Sequence, residues 1–182
     1  MSASGRVTTV RPQNDRCAAV IIDVPDALAR THTRLGQVLV FGGKTYLALT
    51  SQPGEGPFEV LASQDALAAA GLQVGTEVQG PAPVGRGFPL ERAEGRDVLL
   101  FAVGTAMGPI RSLVEAIRRR RAEYGYVRLF AGAREGQPLP YADQLDAWSR
   151  DRIDVTLSAS KPWVQHRFEA DPPDLRNAVA FV

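Results

Sequence analysis

The sequence predicts two domains of different class, an all-β domain over residues 1–93 and an α/β domain over residues 94–182. In the first half, short apolar runs alternate with turns that contain glycine or proline, a pattern typical of an antiparallel barrel or sandwich. A segment rich in glycine and proline follows at 80–97. After it, apolar strands alternate with helices, which predicts right-handed crossovers and a parallel sheet.

Six strands are predicted in the first domain. They cover residues 6–13, 17–24, 36–41, 44–51, 57–63 and 76–83. Gly42-Gly43 is predicted to be a two-residue hairpin loop, because positive φ at both positions gives the primed turns that tight hairpins favour. One short helix is predicted at 63–72, with Ser63 as its N-cap and Gly71 at its C-terminal end.

Four strands and two helices are predicted in the second domain. The strands cover 97–104, 126–133, 153–160 and 177–182, and the helices lie around 110–117 and 139–151. The first of these strands is a continuous apolar run, as in strands buried on both faces. Pro172 and Pro173 argue against a long helix before the last strand, because proline interrupts helices.

The composition argues against several classes of protein. The 21 basic and 20 acidic side chains leave a net charge of +1, which does not favour nucleic acid or an anionic membrane as a partner. Cys17 is the only cysteine, so an intrachain disulfide is excluded and a reducing cytoplasm is expected. No membrane span or signal peptide is expected, because apolar runs of about 20 residues and an apolar leader core are both missing.

The turn at 104–109, Gly-Thr-Ala-Met-Gly-Pro, joins the first strand of the second domain to a helix. Pro109 suits the first helical position, which makes Gly108 the expected N-cap. Free backbone N–H groups would then face the carboxyl edge of the sheet and could bind an anion. The alternative is that the glycines and the proline only form the turn, since the motif is neither G-x-G-x-x-G nor a P-loop.

The remaining polar candidates each have a structural alternative. His32 and His166 are expected at the surface, and no metal site is expected, because no metal-ligand spacing is present. Cys17 is expected in the core. The run Arg118–Arg121 is either a solvated helix end or a docking patch for an acidic electron-transfer protein. Arg134 follows an apolar strand, so it either contacts phosphate or ribose or is simply exposed.

The two tryptophans are expected to serve packing. Trp148 shares one predicted helical face with Tyr141 and Leu145, which favours a core position. Trp163 has no periodic partner of this kind. No Ser-His-Asp arrangement or acid/base pair is evident in the sequence.

Six longer segments occur in the order and spacing of a known family. They are residues 36–41, 44–61, 74–90, 97–117, 127–148 and 153–160. Together they resemble the ferredoxin–NADP reductase superfamily, particularly the electron-transfer subunits of dihydroorotate dehydrogenase and the diaphorase-type subunits of hydrogenases. The resemblance implies a six-stranded antiparallel barrel that binds a flavin, FAD or FMN, and a reduced α/β domain that binds NAD(P)H.

The resemblance also implies a function and a set of cofactor residues. The expected function is NAD(P)H-linked, flavin-dependent electron transfer, as a subunit that serves a redox or enzyme partner. Its flavin residues would be Lys44 and Tyr46, which match the family's Arg-x-Tyr-Ser motif. Its dinucleotide residues would be Gly104, Thr105, Gly108 and Pro109 on the turn, and Arg134 in the loop that begins at Gly132.

Three departures from the family pattern support an alternative function. Lys44 replaces an arginine and Leu47 replaces a serine in the flavin motif, and Ser63 is the only hydroxyl in the segment expected to bind the flavin diphosphate. The sequence stops at Val182, about where the family's Cys-Gly-Pro turn begins, so the nicotinamide side of the site is expected to be open. The alternative is a noncatalytic binding or assembly module that has lost one or both cofactor sites.

Overall fold

The computed structural model describes residues 4–79, 82–159 and 163–182. The chain divides into two compact units, Met1–Phe88 and Pro89–Val182. The sequence places the boundary at 93/94, whereas the 3-10 turn Leu90–Ala93 belongs to the second unit, because this turn contacts the last strand of that unit. The predicted order, an antiparallel β domain followed by a parallel α/β domain, is confirmed.

In the described residues of the first unit, there are six strands and two short helices. They are β1 (Ser4–Asn14), β2 (Cys17–Asp23), α1 (Asp26–Ala29), β3 (Val38–Phe41), β4 (Thr45–Ala48), β5 (Phe58–Ser63), α2 (Gln64–Ala70) and β6 (Glu77–Gln79). Antiparallel pairing gives the strand order β5-β2-β1-β6, and β3 and β4 form a separate hairpin. Single bridges join Leu49 to Val60 and Val38 to Val84. The sixth predicted strand, 76–83, lies partly outside the described residues.

The β3-β4 hairpin carries the glycine pair that the sequence singled out. Gly42 and Gly43 have φ angles of 56° and 70°, as predicted. The predicted loop length of two residues is wrong, because Phe41 pairs with Thr45 and three residues lie between the strands. Lys44 therefore lies in the loop, where its N–H donates to the carbonyl of Phe41 at 3.1 Å.

Helix α2 has the ends that the sequence predicted. The Ser63 hydroxyl accepts a hydrogen bond from the Ala66 N–H at 3.2 Å, and Gly71 closes the helix with a φ of 63°. Leu67 is the buried residue of this helix and packs into the core of the first unit. A short helix therefore forms by local capping and one apolar contact.

His32 lies in the core of the first unit, so its predicted surface position is wrong. The side chain is 1% exposed, and its ring meets Phe58 edge to face at 5.9 Å. The Nε2 atom lies 2.9 Å from the carbonyl oxygen of Arg34. Burial lowers the pKa of this imidazole, and backbone hydrogen bonding to Arg34 and Gln52 offsets the shift only in part.

We expect the first unit to lose stability as the pH falls through the ordinary imidazole pKa of 6.5. The unfolded chain takes up a proton there and the folded chain does so only at lower pH, so protonation favours unfolding. One such group contributes at most about 1.4 kcal/mol per pH unit. Urea unfolding at about pH 7.5 and about pH 5.5, followed by far-UV circular dichroism, should show a smaller drop for His32→Gln than for the unchanged chain. Equal drops in the two proteins would contradict this assignment.

The described part of the second unit forms a four-stranded parallel sheet and three α-helices. They are β7 (Asp97–Val103), α3 (Met107–Arg119), β8 (Val127–Gly132), α4 (Leu145–Arg150), β9 (Ile153–Ser158), α5 (Val164–Ala170) and β10 (Ala178–Phe181). The strand order is β10-β7-β8-β9, with all pairs parallel. The four predicted strands are therefore confirmed. Helix α5 was not predicted, although it ends before Pro172 as the prolines require.

The helix predicted at 139–151 is shorter than expected. Tyr141 has a φ of 62°, which breaks the helical path, and a 3-10 turn at Ala142–Gln144 precedes α4. Tyr141 and Trp148 are nevertheless fully buried, as the core prediction requires. The predicted apolar face of α3 is also buried, from Ile110 to Ile117.

Right-handed crossovers place the helices of the second unit on the two faces of its sheet. The chain moves in one direction from β7 through β8 to β9, so α3 and α4 share a face. From β9 the chain crosses back in the opposite direction to β10, so a right-handed crossover puts α5 on the opposite face. There the ring of Phe168 packs edge to face on Phe101 and Phe130, and Arg128 pairs with Asp171 at 2.7 Å.

Candidate cofactor sites

The strand order of the second unit marks one edge of its sheet as a binding position. The direction of the crossovers reverses between β7 and β10. In open α/β sheets, ligands bind outside the carboxyl ends of the strands at such a switch point. The turn at 104–106 begins at the carboxyl end of β7, at this place.

Gly104 makes the turn from strand to helix. Its φ is 58°, and a Cβ atom built on it would meet nothing within 4 Å. A 3-10 turn follows at Gly104–Ala106, and α3 begins at Met107. The prediction of Gly108 as N-cap and Pro109 as first helical residue is therefore wrong. Pro109 is the third residue of α3, which is permitted because the first N–H groups of a helix have no intrahelical partner.

The residues of this turn differ in their access to solvent. Thr105 and Ala106 are exposed, and Gly104 is half-buried. Gly108 is buried, and the carbonyl of the half-buried Pro109 accepts a hydrogen bond from the Ser112 hydroxyl at 2.6 Å. The first turn of the thirteen-residue helix α3 contains no acidic side chain. Residues 104–106 can thus admit an anion, whereas Gly108 and Pro109 shape the helix behind them.

Arg134 lies at the same edge of the sheet. Val103 pairs with Gly132, and Gly132 pairs with Ser158, so the ends of β7, β8 and β9 are level. Arg134 is exposed in the loop that leaves β8, and its carbonyl accepts a hydrogen bond from the Gln137 N–H at 2.9 Å. The fold therefore brings the Gly104 turn and this cation to one edge, thirty residues apart in sequence.

Gly132 serves packing at this edge. A Cβ atom at this position would lie 2.8 Å from Cγ2 of Val164 and 3.1 Å from Cγ2 of Val103. Trp163 comes just before Val164 and is 46% exposed, so its predicted role in packing is wrong. The exposure of Trp163 could not be predicted from periodicity, because it depends on helix α5, which the sequence did not predict.

The hairpin of the first unit presents the residues that match the flavin motif. Tyr46 is 63% exposed and pairs across the hairpin with Val40. Lys44 is exposed in the adjoining loop. Leu47 points to the other face and is buried in the core of the first unit. The aromatic ring and the ammonium group are therefore accessible on one hairpin, and the leucine that replaces serine is a core residue.

Comparison with known proteins identifies the fold. No protein-family model matches the chain. A curated relative, the sulfhydrogenase 1 gamma subunit of Pyrococcus furiosus, is 36% identical over 76 residues, which are 42% of this chain and 26% of that protein. The matched part of the chain thus spans about a quarter of the length of that relative.

Solved structures match nearly the whole chain. A cytochrome P450 reductase of Amycolatopsis superposes with a TM-score of 0.80 at 17% identity, covering 98% of this chain and 60% of that one. Ferredoxin-NADP+ reductase of Plasmodium falciparum gives 0.73 at 12% identity, with 92% and 77% covered. The flavohem-like FAD/NAD binding domain of a Vibrio cholerae nitric oxide dioxygenase gives 0.71 at 12% identity, with 99% and 98% covered.

The chain has the fold of the ferredoxin–NADP reductase superfamily. These matches extend over both units, which agrees with the order of segments in the sequence. At identities of 12% to 17%, they establish the fold alone. The chain's own residues therefore decide which cofactors it can hold.

The dinucleotide edge fits its expected ligand. The open Gly104 and the exposed Thr105 lie in the 3-10 turn that continues into α3, and the first turn of α3 contains no acidic side chain. Arg134 adds a cation at the same edge. Phosphate groups bind at helix N-termini of this kind because of the helix dipole and the orphan N–H groups.

The segment expected to hold the flavin diphosphate does not fit that group. The Ser63 hydroxyl already accepts a hydrogen bond from Ala66 of α2. Asp65 is exposed in the first turn of α2 and would repel an anion. A diphosphate bound there could still accept a hydrogen bond from the Ser63 O–H, but it would lie beside the Asp65 carboxylate with no basic side chain on α2 to offset that charge.

The run Arg118–Arg121, at and just after the C-terminal end of α3, is held by contacts within the second unit. Arg118 donates to Asp151 at 2.6 Å, and Arg120 pairs with Glu94 at 2.8 Å. The guanidinium of Arg121 donates to four backbone carbonyls. These belong to Tyr124, Gly125, Asp151 and Arg152. These contacts favour a structural role for the run over a role as a docking patch.

Two open grooves in the described residues lie away from the predicted cofactor residues. One, of about 460 Å³, lies at the amino end of β9 between Tyr126 and Arg152. The other, of about 420 Å³, runs beside α2 between Leu67 and Val74. Over the same described ranges, His, Cys, Asp and Glu do not gather into a group that could hold a metal ion. A membrane-crossing helix, which needs length and apolar character together, is not found among the described residues.

Proposed function

We propose that this chain is an NAD(P)H-linked, flavin-dependent electron-transfer subunit of the ferredoxin reductase type. The observation that carries the proposal is that the open Gly104 turn lies at the switch point of the parallel sheet and that Arg134 follows the neighbouring strand β8 at the same edge. Dinucleotides bind at this place in open α/β folds. A relative named as a hydrogenase subunit supports a redox enzyme as the partner.

The proposal gives each accessible residue a role. Gly104 and Thr105 would hold a phosphate of the dinucleotide, and Arg134 would contact a second phosphate or the ribose. Tyr46 would lie along the flavin ring, and Lys44 would attract the flavin phosphate. When bound, the nicotinamide supplies a hydride and the flavin accepts it, while the protein orients both cofactors.

Thr105→Glu should weaken NADH and NADPH binding by about tenfold or more. A carboxylate near a bound phosphate costs about 1–4 kcal/mol at 4 Å near a protein surface, and tenfold corresponds to about 1.4 kcal/mol. Thr105 is exposed, so the fold should be unchanged. Isothermal titration of the purified chain with NADH and NADPH measures the effect.

Thr105→Ser is the matched control and should bind like the unchanged chain. Gly108 is unsuitable for this test because it is buried in α3, and a large side chain there would disturb the helix. If Thr105→Glu binds NADH and NADPH with unchanged affinity, the dinucleotide does not lie on this turn.

A second candidate function is a noncatalytic binding or assembly module. The observation that favours it is the α2 segment, where the only hydroxyl of the expected diphosphate site caps the helix. A visible absorption spectrum, recorded after incubation with FAD or FMN and desalting, separates the two functions. Retained flavin supports the reductase role, and a colourless protein supports the assembly role.

A further inference from the structure

The outer face of the β3-β4 hairpin combines an aromatic surface with one cation. Tyr46 is 63% exposed, and Val40 lies across from it on the facing strand. Lys44 precedes Tyr46 by two residues and is exposed in the loop. A planar ring with a single anionic arm would match this arrangement, with stacking on the tyrosine and charge pairing with the ammonium group.

The beginning of α2 lies at the same end of the strands as this hairpin loop. The bridge between Leu49 and Val60 is antiparallel, so residues before Leu49 and residues after Val60 extend in the same direction. Ser63 and α2 follow Val60, and α2 contacts β4. A flavin whose phosphate arm extended beyond Lys44 in this direction would therefore meet the beginning of α2.

That position disfavours a second phosphate. The Ser63 hydroxyl accepts from the Ala66 N–H at 3.2 Å, and Asp65 adds a negative charge in the first helical turn. Helix α2 has only seven residues, so its dipole offers little compensation. A diphosphate placed there would gain at most the Ser63 O–H as a side-chain donor and would meet the like charge of Asp65.

We infer that the flavin of this chain is FMN and not FAD, an inference that rests on the proposed function. A terminal phosphate monoester carries about −1.5 to −2 charges at pH 7, and all of that charge can lie beside Lys44. The inner phosphate of FAD is a diester-like group with a single charge, and its outer phosphate would face Asp65. One ammonium group and one nearby carboxylate therefore select the monophosphate.

Equilibrium dialysis of the purified full chain against FMN, FAD and riboflavin tests this inference. We expect FMN to bind about tenfold more tightly than FAD, because the outer phosphate and Asp65 repel each other. Lys44→Ala should lower the affinity for FMN by about fivefold, as expected for an exposed ion pair, and leave riboflavin binding unchanged. Asp65→Asn should raise the affinity for FAD and leave that for FMN unchanged. Arg11→Ala, which removes an exposed cation on β1, is the control and should change neither.

The outcomes separate this inference from the function on which it rests. If FAD binds as tightly as FMN or more tightly, the choice of FMN is wrong and the reductase function stands. If Lys44→Ala lowers riboflavin and FMN binding equally, Lys44 shapes the hairpin and does not read the phosphate, and the inference fails. If none of the three flavins binds, the flavin-dependent function itself fails, and the inference fails with it.

Discussion

Replacing Trp148 by alanine should lower the stability of the second unit by about 3–5 kcal/mol, the usual range for loss of a buried tryptophan. The indole is fully buried, and its Nε1–H donates to the Glu115 carboxylate at 2.8 Å. The substitution would leave a cavity between α4 and the sheet. It would also remove the hydrogen bond that ties α4 to α3.

Two further variants make the effect of Trp148→Ala interpretable. Trp148→Phe keeps most of the apolar volume and should cost about 1–3 kcal/mol, largely through the lost hydrogen bond to Glu115. Trp163→Ala alters a tryptophan that is 46% exposed and should change stability little. Differential scanning calorimetry of the three variants and the unchanged chain measures these effects. A loss below about 1 kcal/mol for Trp148→Ala would mean that the site collapses around the smaller side chain.

Gly87→Ala should destabilise the first unit by about 3 kcal/mol or more, from backbone strain and overpacking together. The φ of Gly87 is 63°, and a Cβ atom there would lie 2.6 Å from both the carbonyl oxygen of Leu35 and Cβ of Arg34. The Leu35 oxygen is a backbone atom and the Arg34 Cβ is bonded to the backbone, so neither can move away without shifting the main chain. The unfolding transition of the first unit in calorimetry measures the loss.

Gly85→Ala is the matched control in the same loop. Gly85 also has a positive φ, 101°, but a Cβ atom there would meet nothing within 4 Å. It should therefore show the conformational cost alone, about 1–2 kcal/mol. If the two substitutions cost the same, the close approach of Leu35 has no energetic weight. Because Gln37 donates to the Gly85 carbonyl and Val38 bridges to Val84, Gly87→Ala should also weaken the flavin binding that we propose for the adjacent hairpin.

Local patterns in the sequence predicted the positions of the strands, and they predicted one helix together with its two ends. Helix α2 is the clearest case, because its N-cap hydroxyl at Ser63 and its left-handed glycine at Gly71 are both local signals. The four parallel strands were also found, because each is an apolar run between turn residues. Helix α5 was missed, because a seven-residue helix without a Ser, Thr, Asn or Asp cap has little signal of its own.

The Gly104 turn shows where local signals are ambiguous. Two glycines and one proline lie within six residues, and proline is compatible with any position in the first helical turn. The sequence alone therefore favoured Gly108 as the cap, whereas Gly104 makes the turn with a φ of 58°. The accessible part of the candidate site is therefore at Thr105, whereas Gly108 is a buried residue of α3.

The sequence by itself determined the order of the strands, the two classes of unit and the segments that carry the candidate cofactor residues. These features depend on apolar period and turn chemistry, which act over a few neighbouring residues. Only the tertiary structure decided that His32 is buried, that Leu47 faces the core while Tyr46 faces solvent, and that Arg134 reaches the edge of the Gly104 turn. Each depends on contacts between residues far apart in the chain, because burial and strand register are set by packing and not by neighbours in sequence.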